Sequence, residues 1–193
     1  DEVLAVMKAS VEAGKSVVRL HTGDPAIYGA IQEQMDALAG MGISYEVVPG
    51  VSSFLATAAA LKQEYTLPNV SQTVIITRME GRTPMPPKEK LRMLAAHEAT
   101  MCIFLSVQML DKVVAELIEG GYDKTTPVAI VVKASWPDQR IIRGTLETIA
   151  DIVAKEGVLR QAMIVVSYVL DSEYELSKLY DKGFAHMYRS AKD

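Results

Sequence analysis

Short apolar runs rich in β-branched residues recur along the chain at Ser16 to Leu20, Tyr45 to Val48, Thr73 to Thr77, Met101 to Leu105, Val128 to Val132 and Met163 to Val169. Each is nearly unbroken rather than alternating, the pattern of a strand covered on both faces. Between them, apolar residues return at helical spacing over Ile27 to Leu38, Val51 to Leu61, Lys88 to Ala96, Gln108 to Glu119 and Leu146 to Lys155. Segments of that length can carry a chain from one parallel strand to the next, so the alternation predicts an α/β fold with mostly parallel sheets. The chain opens inside a further helical stripe of Val3, Leu4, Met7 and Val11, which reads as a truncated start.

Two places break the rhythm. Glu64-Tyr65-Thr66-Leu67-Pro68-Asn69 follows an Ala-rich helical pattern and reads as a linker. It divides the chain into residues 1–69, the remainder of an N-terminal α/β domain with a mainly parallel sheet, and residues 70–193, a C-terminal α/β domain. Trp136-Pro137-Asp138-Gln139-Arg140 separates two β-like runs with no room for a helix. That spacing predicts an antiparallel hairpin and therefore a mixed second sheet. Asp171 to Asp193 carries Tyr174, Tyr180 and Tyr188 among charges, and reads equally as a docking element, a dimer contact or a loose tail.

Charge and composition narrow the partners. With Lys+Arg 20 against Asp+Glu 24 the net charge is -4, so no global basic field draws a nucleic-acid backbone to the protein. No apolar run approaches the roughly 20 residues that cross a bilayer, and no basic segment leads into an apolar signal core, which together suggest a cytoplasmic protein without a membrane partner. The single cysteine, Cys102, lies within Met101-Cys102-Ile103-Phe104-Leu105 and reads as a small buried hydrophobe. Three histidines and one cysteine without close spacing define no metal site.

Three segments carry turn chemistry where strands should end: His21-Thr22-Gly23-Asp24-Pro25, Pro49-Gly50-Val51-Ser52-Ser53 and Thr77-Arg78-Met79-Glu80-Gly81-Arg82-Thr83-Pro84. In open α/β sheets, ligands bind beyond the carboxyl ends of strands, so these segments describe the wall of a cleft. In the first, Gly23 allows close backbone approach, Pro25 sets a helix entry, and Asp24 stands either as an N-cap or as a ligand contact. In the second, a serine opens a helix, and its hydroxyl either caps free N–H groups or bonds a ligand. After the third come Arg78, Arg82, Lys88 and Arg92 with Glu80, Glu89 and Glu98 interleaved: either a solvated charged face or a grip on carboxylates. Trp136 stacks on a flat ligand or anchors the hairpin. By residue type His21 and His97 are open to acid–base work, His97 also as a helix C-terminal cap. No Ser-His-Asp or Cys-His constellation stands out, and no residue is identified as a general base.

Gly-Asp-Pro followed by Ile27-Tyr28-Gly29, then Pro-Gly-Val-Ser-Ser, Thr-Arg-Met-Glu-Gly-Arg-Thr-Pro and Lys133-Ala134-Ser135-Trp136-Pro137-Asp138, resembles the tetrapyrrole methylases of cobalamin synthesis over essentially the whole chain. The arginine-bearing motif resembles the branch that acts at C11. The resemblance implies two α/β domains with a cleft between them, the first incomplete because the family's opening strand and Gly-x-Gly-Pro-Gly-Asp loop have no match here. It implies S-adenosyl-L-methionine as methyl donor and S-adenosyl-L-homocysteine as product. Cofactor contacts are then expected at Thr22, Gly23, Asp24, Ile27, Ser52, Ser53, Leu105 and Ala134, and contacts to a tetrapyrrole substrate at Arg78, Arg82 and Trp136. A homodimer is implied as well. A methylase of another tetrapyrrole intermediate, a relative acting on ribosomal RNA and a non-catalytic nucleotide-binding module are the other readings, and the presence of cobalt in the substrate is left open.

Overall fold

A computed structural model describes residues 2–176. The chain divides into two compact units, Asp1–Ala56 and Thr57–Asp193; the linker read at residues 64–69 lies inside the second. Tyr180 and Tyr188 fall outside the described residues.

The first unit contains α1 (Glu2–Glu12) and α2 (Gln32–Gly40), and α3 (Ser53–Leu61) begins in it. Two expectations need correction. The helix read from Ile27 starts only at Gln32, because Tyr28 and Ala30 adopt left-handed backbone, with φ of 55° and 50°. Such residues cannot continue a right-handed helix. The apolar runs at 16–20 and 45–48 are not paired as strands among the described residues, and Val18 and Leu20 stand 79% and 80% exposed. A strand exists only through a hydrogen-bonded neighbour, which hydropathy cannot supply.

The second unit is built on one open sheet of five strands in the order β1-β2-β5-β3-β4. The strands are β1 (Val74–Arg78), β2 (Thr100–Phe104), β3 (Pro127–Val132), β4 (Arg140–Thr145) and β5 (Ala162–Val166). Only β1 and β2 pair in parallel; β5 pairs antiparallel with both β2 and β3, and β3 with β4. The sheet is mixed, with Val132 opposite Arg140 at the mouth of the hairpin. This is the mixed second sheet that the hairpin predicts; the β5 insertion between β2 and β3 adds antiparallel pairing that the apolar pattern does not signal, because a strand buried on both faces looks the same in either direction.

Helices α4 (Leu91–Ala95), α5 (Leu110–Gly120) and α6 (Ile149–Glu156) pack on this sheet. Helix α5 buries Leu110, Val113 and Leu117, spaced so that one stripe faces the core. Every residue of β2 is buried, and Ile130, Ile164 and Val165 are fully so; each such side chain contributes roughly 1.5–3 kcal/mol of transfer free energy. Several polar groups inside are paired: Thr100 Oγ1 donates to the Tyr65 carbonyl at 2.9 Å and lies 2.7 Å from Ser167 Oγ, while Tyr122 OH donates to the Ala99 carbonyl. The buried Thr57 Oγ1 has no hydrogen-bond partner among the described residues. Cys102 is fully buried, and burial pushes its thiol up to about 12. Among the described residues no helix is long and apolar enough to cross a membrane.

Candidate functional site

In the first unit, two turns lock together through one carboxylate. Asp24 Oδ1 accepts the Ala26 N–H at 2.8 Å and Oδ2 accepts the Gly50 N–H at 2.9 Å. Asp24 therefore closes its own turn and ties the His21–Pro25 segment to the Pro49–Ser53 segment. It caps no helix, since α2 starts eight residues later. The bonds from Gly50 and Ala26 hold its carboxyl below the usual value, because amide donors favour the charged form.

Glycine is required at the crossing. A Cβ on Gly50 would fall 2.0 Å from the Gly23 carbonyl oxygen, and Gly23 itself has φ +68°. A Cβ there would lie 3.5 Å from both Ser52 Cα and Ser53 N, so the two backbones pass in van der Waals contact. Thr22 and Gly23 are exposed, Ile27 is half-buried and Ser52 buried. Ser52 stands just before α3, its carbonyl accepting from Leu55 and Ala56 N–H groups, and Ser53 is the first residue of that helix. Exposed backbone, small side chains and a helix N-terminus thus meet in one unit.

In the second unit, β1, β2 and β3 run in the same direction, so their C-terminal ends share one edge of the sheet. Four non-glycine residues at that edge have left-handed backbone: Leu105 (φ 55°) after β2, Lys133 and Ser135 (φ 50° and 73°) after β3, and Gln161 (φ 55°) before β5. Each costs about 1–2 kcal/mol relative to ordinary backbone, and strain of this kind gathers at binding and catalytic sites. Leu105 is 72% exposed despite following a fully buried strand. Ala134 is half-buried between two of the strained residues.

The arginines separate into three roles. The Arg78 guanidinium donates to the carbonyls of Met79, Thr83 and Pro84 at 3.2–3.3 Å, folding the loop after β1 upon itself. Arg82, in that loop, is exposed and makes no hydrogen bond or ion pair with any described residue. Arg92 is instead bound to Glu116 and Glu119 at 2.8 Å and 2.6 Å, so it joins α4 to α5 rather than extending a cationic cluster. Lys88 lies exposed in a 3-10 turn, Pro87–Glu89.

Trp136 is 54% exposed at the hairpin tip, which rules out a role as core anchor. Lys133 Nζ sits 5.8 Å from its ring centroid and is ion-paired with Asp138, whose carboxyl is held down chiefly by that bond. Ser135 N–H donates to Gln139 Oε1 at 2.8 Å and Gln139 N–H to the Trp136 carbonyl at 3.1 Å, so the tip has a defined shape. His21 is half-buried at the head of the first motif; His97 is exposed in the turn after α4, its N–H bonded to the Leu94 carbonyl. Sequence reasoning overlooked Ser106, and it quoted Lys133 within a motif without giving it a role. A serine directly after an unbroken apolar strand was the available signal for the first. Among the described residues no three His, Cys, Asp or Glu side chains gather as metal ligands.

Residues 1–150 match the family model described as Tetrapyrrole (Corrin/Porphyrin) Methylases. Over 192 residues the chain is 62% identical to the cobalt-precorrin-4 C(11)-methyltransferase of Methanocaldococcus jannaschii, covering 99% of this chain and 74% of that protein. The structure matches the X-ray structure of a cobalamin biosynthetic enzyme, cobalt precorrin-4 methyltransferase, with a TM-score of 0.86 and 48% identity over 89% of this chain and 72% of the other. It also matches uroporphyrin-III C-methyl transferase from Thermus thermophilus complexed with S-adenyl homocysteine, with a TM-score of 0.71 and 26% identity over 88% of this chain and 73% of the other.

Proposed function

The chain belongs to the tetrapyrrole (corrin/porphyrin) methylases, and from that premise we propose that it transfers a methyl group from S-adenosyl-L-methionine to C11 of precorrin-4 or cobalt-precorrin-4 in cobalamin biosynthesis. The observation that carries this reading is the nearly full-chain likeness to a cobalt-precorrin-4 C(11)-methyltransferase.

The residues present fit the cofactor. In the first unit, Gly23 offers exposed backbone with no Cβ, Thr22 is exposed, and half-buried Ser53 opens α3 next to the buried Ser52, a surface suited to a polar, charged ligand. Ile27, half-buried beside it, supplies apolar contact. Asp24 contributes by holding the two turns in place through Gly50 and Ala26. In the second unit, Leu105 and Ala134 present apolar and small side chains at the strained edge, where a flat adenine could lie.

When bound, the cofactor supplies a methyl group on a sulfonium, which reacts with a carbon nucleophile held in line with it. The chain's part is then to bind and orient two reactants and to exclude water from them, a contribution of several kcal/mol when geometry is near ideal. Arg82 pairs with acidic side chains of the tetrapyrrole, since it is exposed and uncommitted to any described residue. Trp136 offers a ring face to the macrocycle, and Arg78 shapes the loop from which Arg82 projects. A cytoplasmic homodimer, with no nucleic-acid or membrane partner, belongs to the same reading and rests on the family resemblance.

Calorimetric titration with S-adenosyl-L-homocysteine and turnover assays with precorrin-4, cobalt-precorrin-4 and uroporphyrinogen III test it. One-site binding and the gain of one methyl group by either precorrin-4 form are expected. Methylation of uroporphyrinogen III alone would reassign the substrate, and binding without any turnover would leave a nucleotide-binding module.

A further inference from the structure

The loop after β1 is laced at three points, all within the second unit. At its root, Ser106 Oγ accepts the Met79 N–H at 2.8 Å and donates to the Phe104 carbonyl at 2.6 Å, while Ser106 is itself fully buried. The hydroxyl caps no helix, although Ser106 precedes the 3-10 turn Val107–Met109. It bridges the exits of β1 and β2 instead. Along the loop, the Arg78 guanidinium gathers the carbonyls of Met79, Thr83 and Pro84, and Glu80 Oε1 accepts the Met85 N–H at 3.3 Å. In the middle, a Cβ on Gly81 would lie 3.7 Å from the Met109 methyl, so the backbone there passes over the same 3-10 turn. Arg82 follows Gly81 directly and is left facing solvent.

Arginine suits such lacing better than lysine. Its planar fork fixes several carbonyls at once, whereas an ammonium is a point charge on a flexible stem. Donors directed at Met79, Thr83 and Pro84 are unavailable to a ligand in this arrangement, although Arg78 lies in the motif that first suggested substrate contact.

We propose that Arg78 and Ser106 are positioning residues: Ser106 pins the root of the 79–84 loop to the exit of β2, Arg78 folds the loop, and Arg82 alone of the two motif arginines meets the tetrapyrrole. The inference deepens the reading of this loop as the substrate-binding segment and rests on it. Leu105, strained between Phe104 and Ser106, is held by the same hydroxyl bridge, so loop and strand exit move as one piece.

The test uses the full chain with Arg78→Lys, Arg78→Met, Ser106→Ala, Ser106→Thr and Arg82→Ala. Hydrogen exchange at residues 79–85 is measured without ligand, and cobalt-precorrin-4 and S-adenosyl-L-homocysteine affinities are measured separately. Both Arg78 variants and Ser106→Ala should speed exchange of the hydrogen-bonded loop amides of Met79 and Met85 about tenfold, with three hydrogen bonds lost in Arg78→Met and two in Ser106→Ala, and with Ser106→Thr close to the parent. Arg78→Lys and Arg78→Met should weaken cobalt-precorrin-4 binding alike, by about tenfold, with product-cofactor affinity kept within about twofold. Retention of affinity by Arg78→Lys with loss in Arg78→Met would make Arg78 a direct charge contact and overturn the proposal, as would unchanged loop exchange. If no variant, Arg82→Ala included, alters cobalt-precorrin-4 affinity while S-adenosyl-L-homocysteine still binds, the loop is not the substrate segment; the positioning role then falls, and the methylase reading stands.

Discussion

The Asp24 carboxylate accepts the backbone N–H of Gly50 at 2.9 Å, across 26 residues of chain. Its other oxygen closes the local turn on Ala26, so one side chain sets the relative position of two motif segments that sequence reading treated separately. Asp24→Asn keeps one acceptor oxygen and turns an amide donor toward one of the two N–H groups. It should weaken S-adenosyl-L-homocysteine binding by roughly three- to tenfold, the loss of one charge-assisted hydrogen bond, as read by calorimetry. Because the native carboxyl is held below its ordinary value of 3.8, its contribution to stability is present above that value and disappears as pH falls through the native pKa. Parent and variant stabilities should therefore converge only on acidification below the ordinary carboxylate range.

Gly50 is the least replaceable glycine of this pair of turns. Gly50→Ala would set a methyl 2.0 Å from the Gly23 carbonyl oxygen, where backbone meets backbone and no rotamer relieves the overlap. A loss of about 1–3 kcal/mol in urea unfolding is expected, accompanied by loss of cofactor-product binding. Gly40→Ala is the control: a Cβ there meets nothing within 4 Å and the residue ends α2, so stability should hold or rise by up to about 1 kcal/mol.

Much of the second unit was legible in the sequence because its strands are continuous apolar runs; β2 and β3 appear within one residue of where hydropathy sets them. Direction was not legible. Val128 to Val132 and Met163 to Val169 are apolar on both faces, and nothing in such a run distinguishes the observed antiparallel β3–β5 ladder from a parallel one. The hairpin could be read, since Trp136 to Arg140 leaves no space for a crossover helix. The start of α2 was hidden because left-handed Tyr28 and Ala30 belong to residue types that ordinarily continue a helix. At the site, the motifs marked the loops but not the roles within them. Arg78, Arg82 and Arg92 have the same charge, and only their partners, carbonyls for one and Glu116 and Glu119 for another, tell them apart.

Cys102 should be inert in the native protein. Burial raises its thiol to about 12, so almost no thiolate exists at pH 8 and a disulfide reagent has no nucleophile to meet. Labelling should follow the urea unfolding curve rather than precede it. The sign of the linkage follows from the raised native value: stability from the protonated thiol is complete below the unfolded pKa, near 9.0, and is lost as pH climbs from there toward about 12. A rapid labelling phase in the absence of denaturant would contradict this burial.

Trp136 is the chain's single tryptophan and lies 54% exposed at a hairpin tip, so its fluorescence reports on that tip alone. Cobalt-precorrin-4 should quench it on binding, through stacking on the exposed ring, while S-adenosyl-L-homocysteine should leave it nearly unchanged. Trp136→Phe keeps an aromatic face and should retain affinity better than Trp136→Ala. Equal losses in the two variants, or an unquenched signal at saturation, would remove the ring from the substrate contacts.

Charge at the third motif can be apportioned by comparing two arginines that composition treats alike. Arg92 spends its guanidinium on Glu116 and Glu119, joining α4 to α5, whereas Arg82 faces solvent without a described partner. Arg82→Ala should lower cobalt-precorrin-4 affinity about tenfold, a bidentate charge-assisted pair being lost, and Arg92→Ala should leave that affinity unchanged. The parent's affinity should also fall as salt is raised, because an exposed pair is screened over a Debye length of about 10 Å at 0.1 M. That salt dependence should be shallower in Arg82→Ala and undiminished in Arg92→Ala, which separates loss of a ligand charge from loss of a helix contact. Equal effects of the two substitutions would mean that the substrate senses the overall field of this face rather than one loop residue.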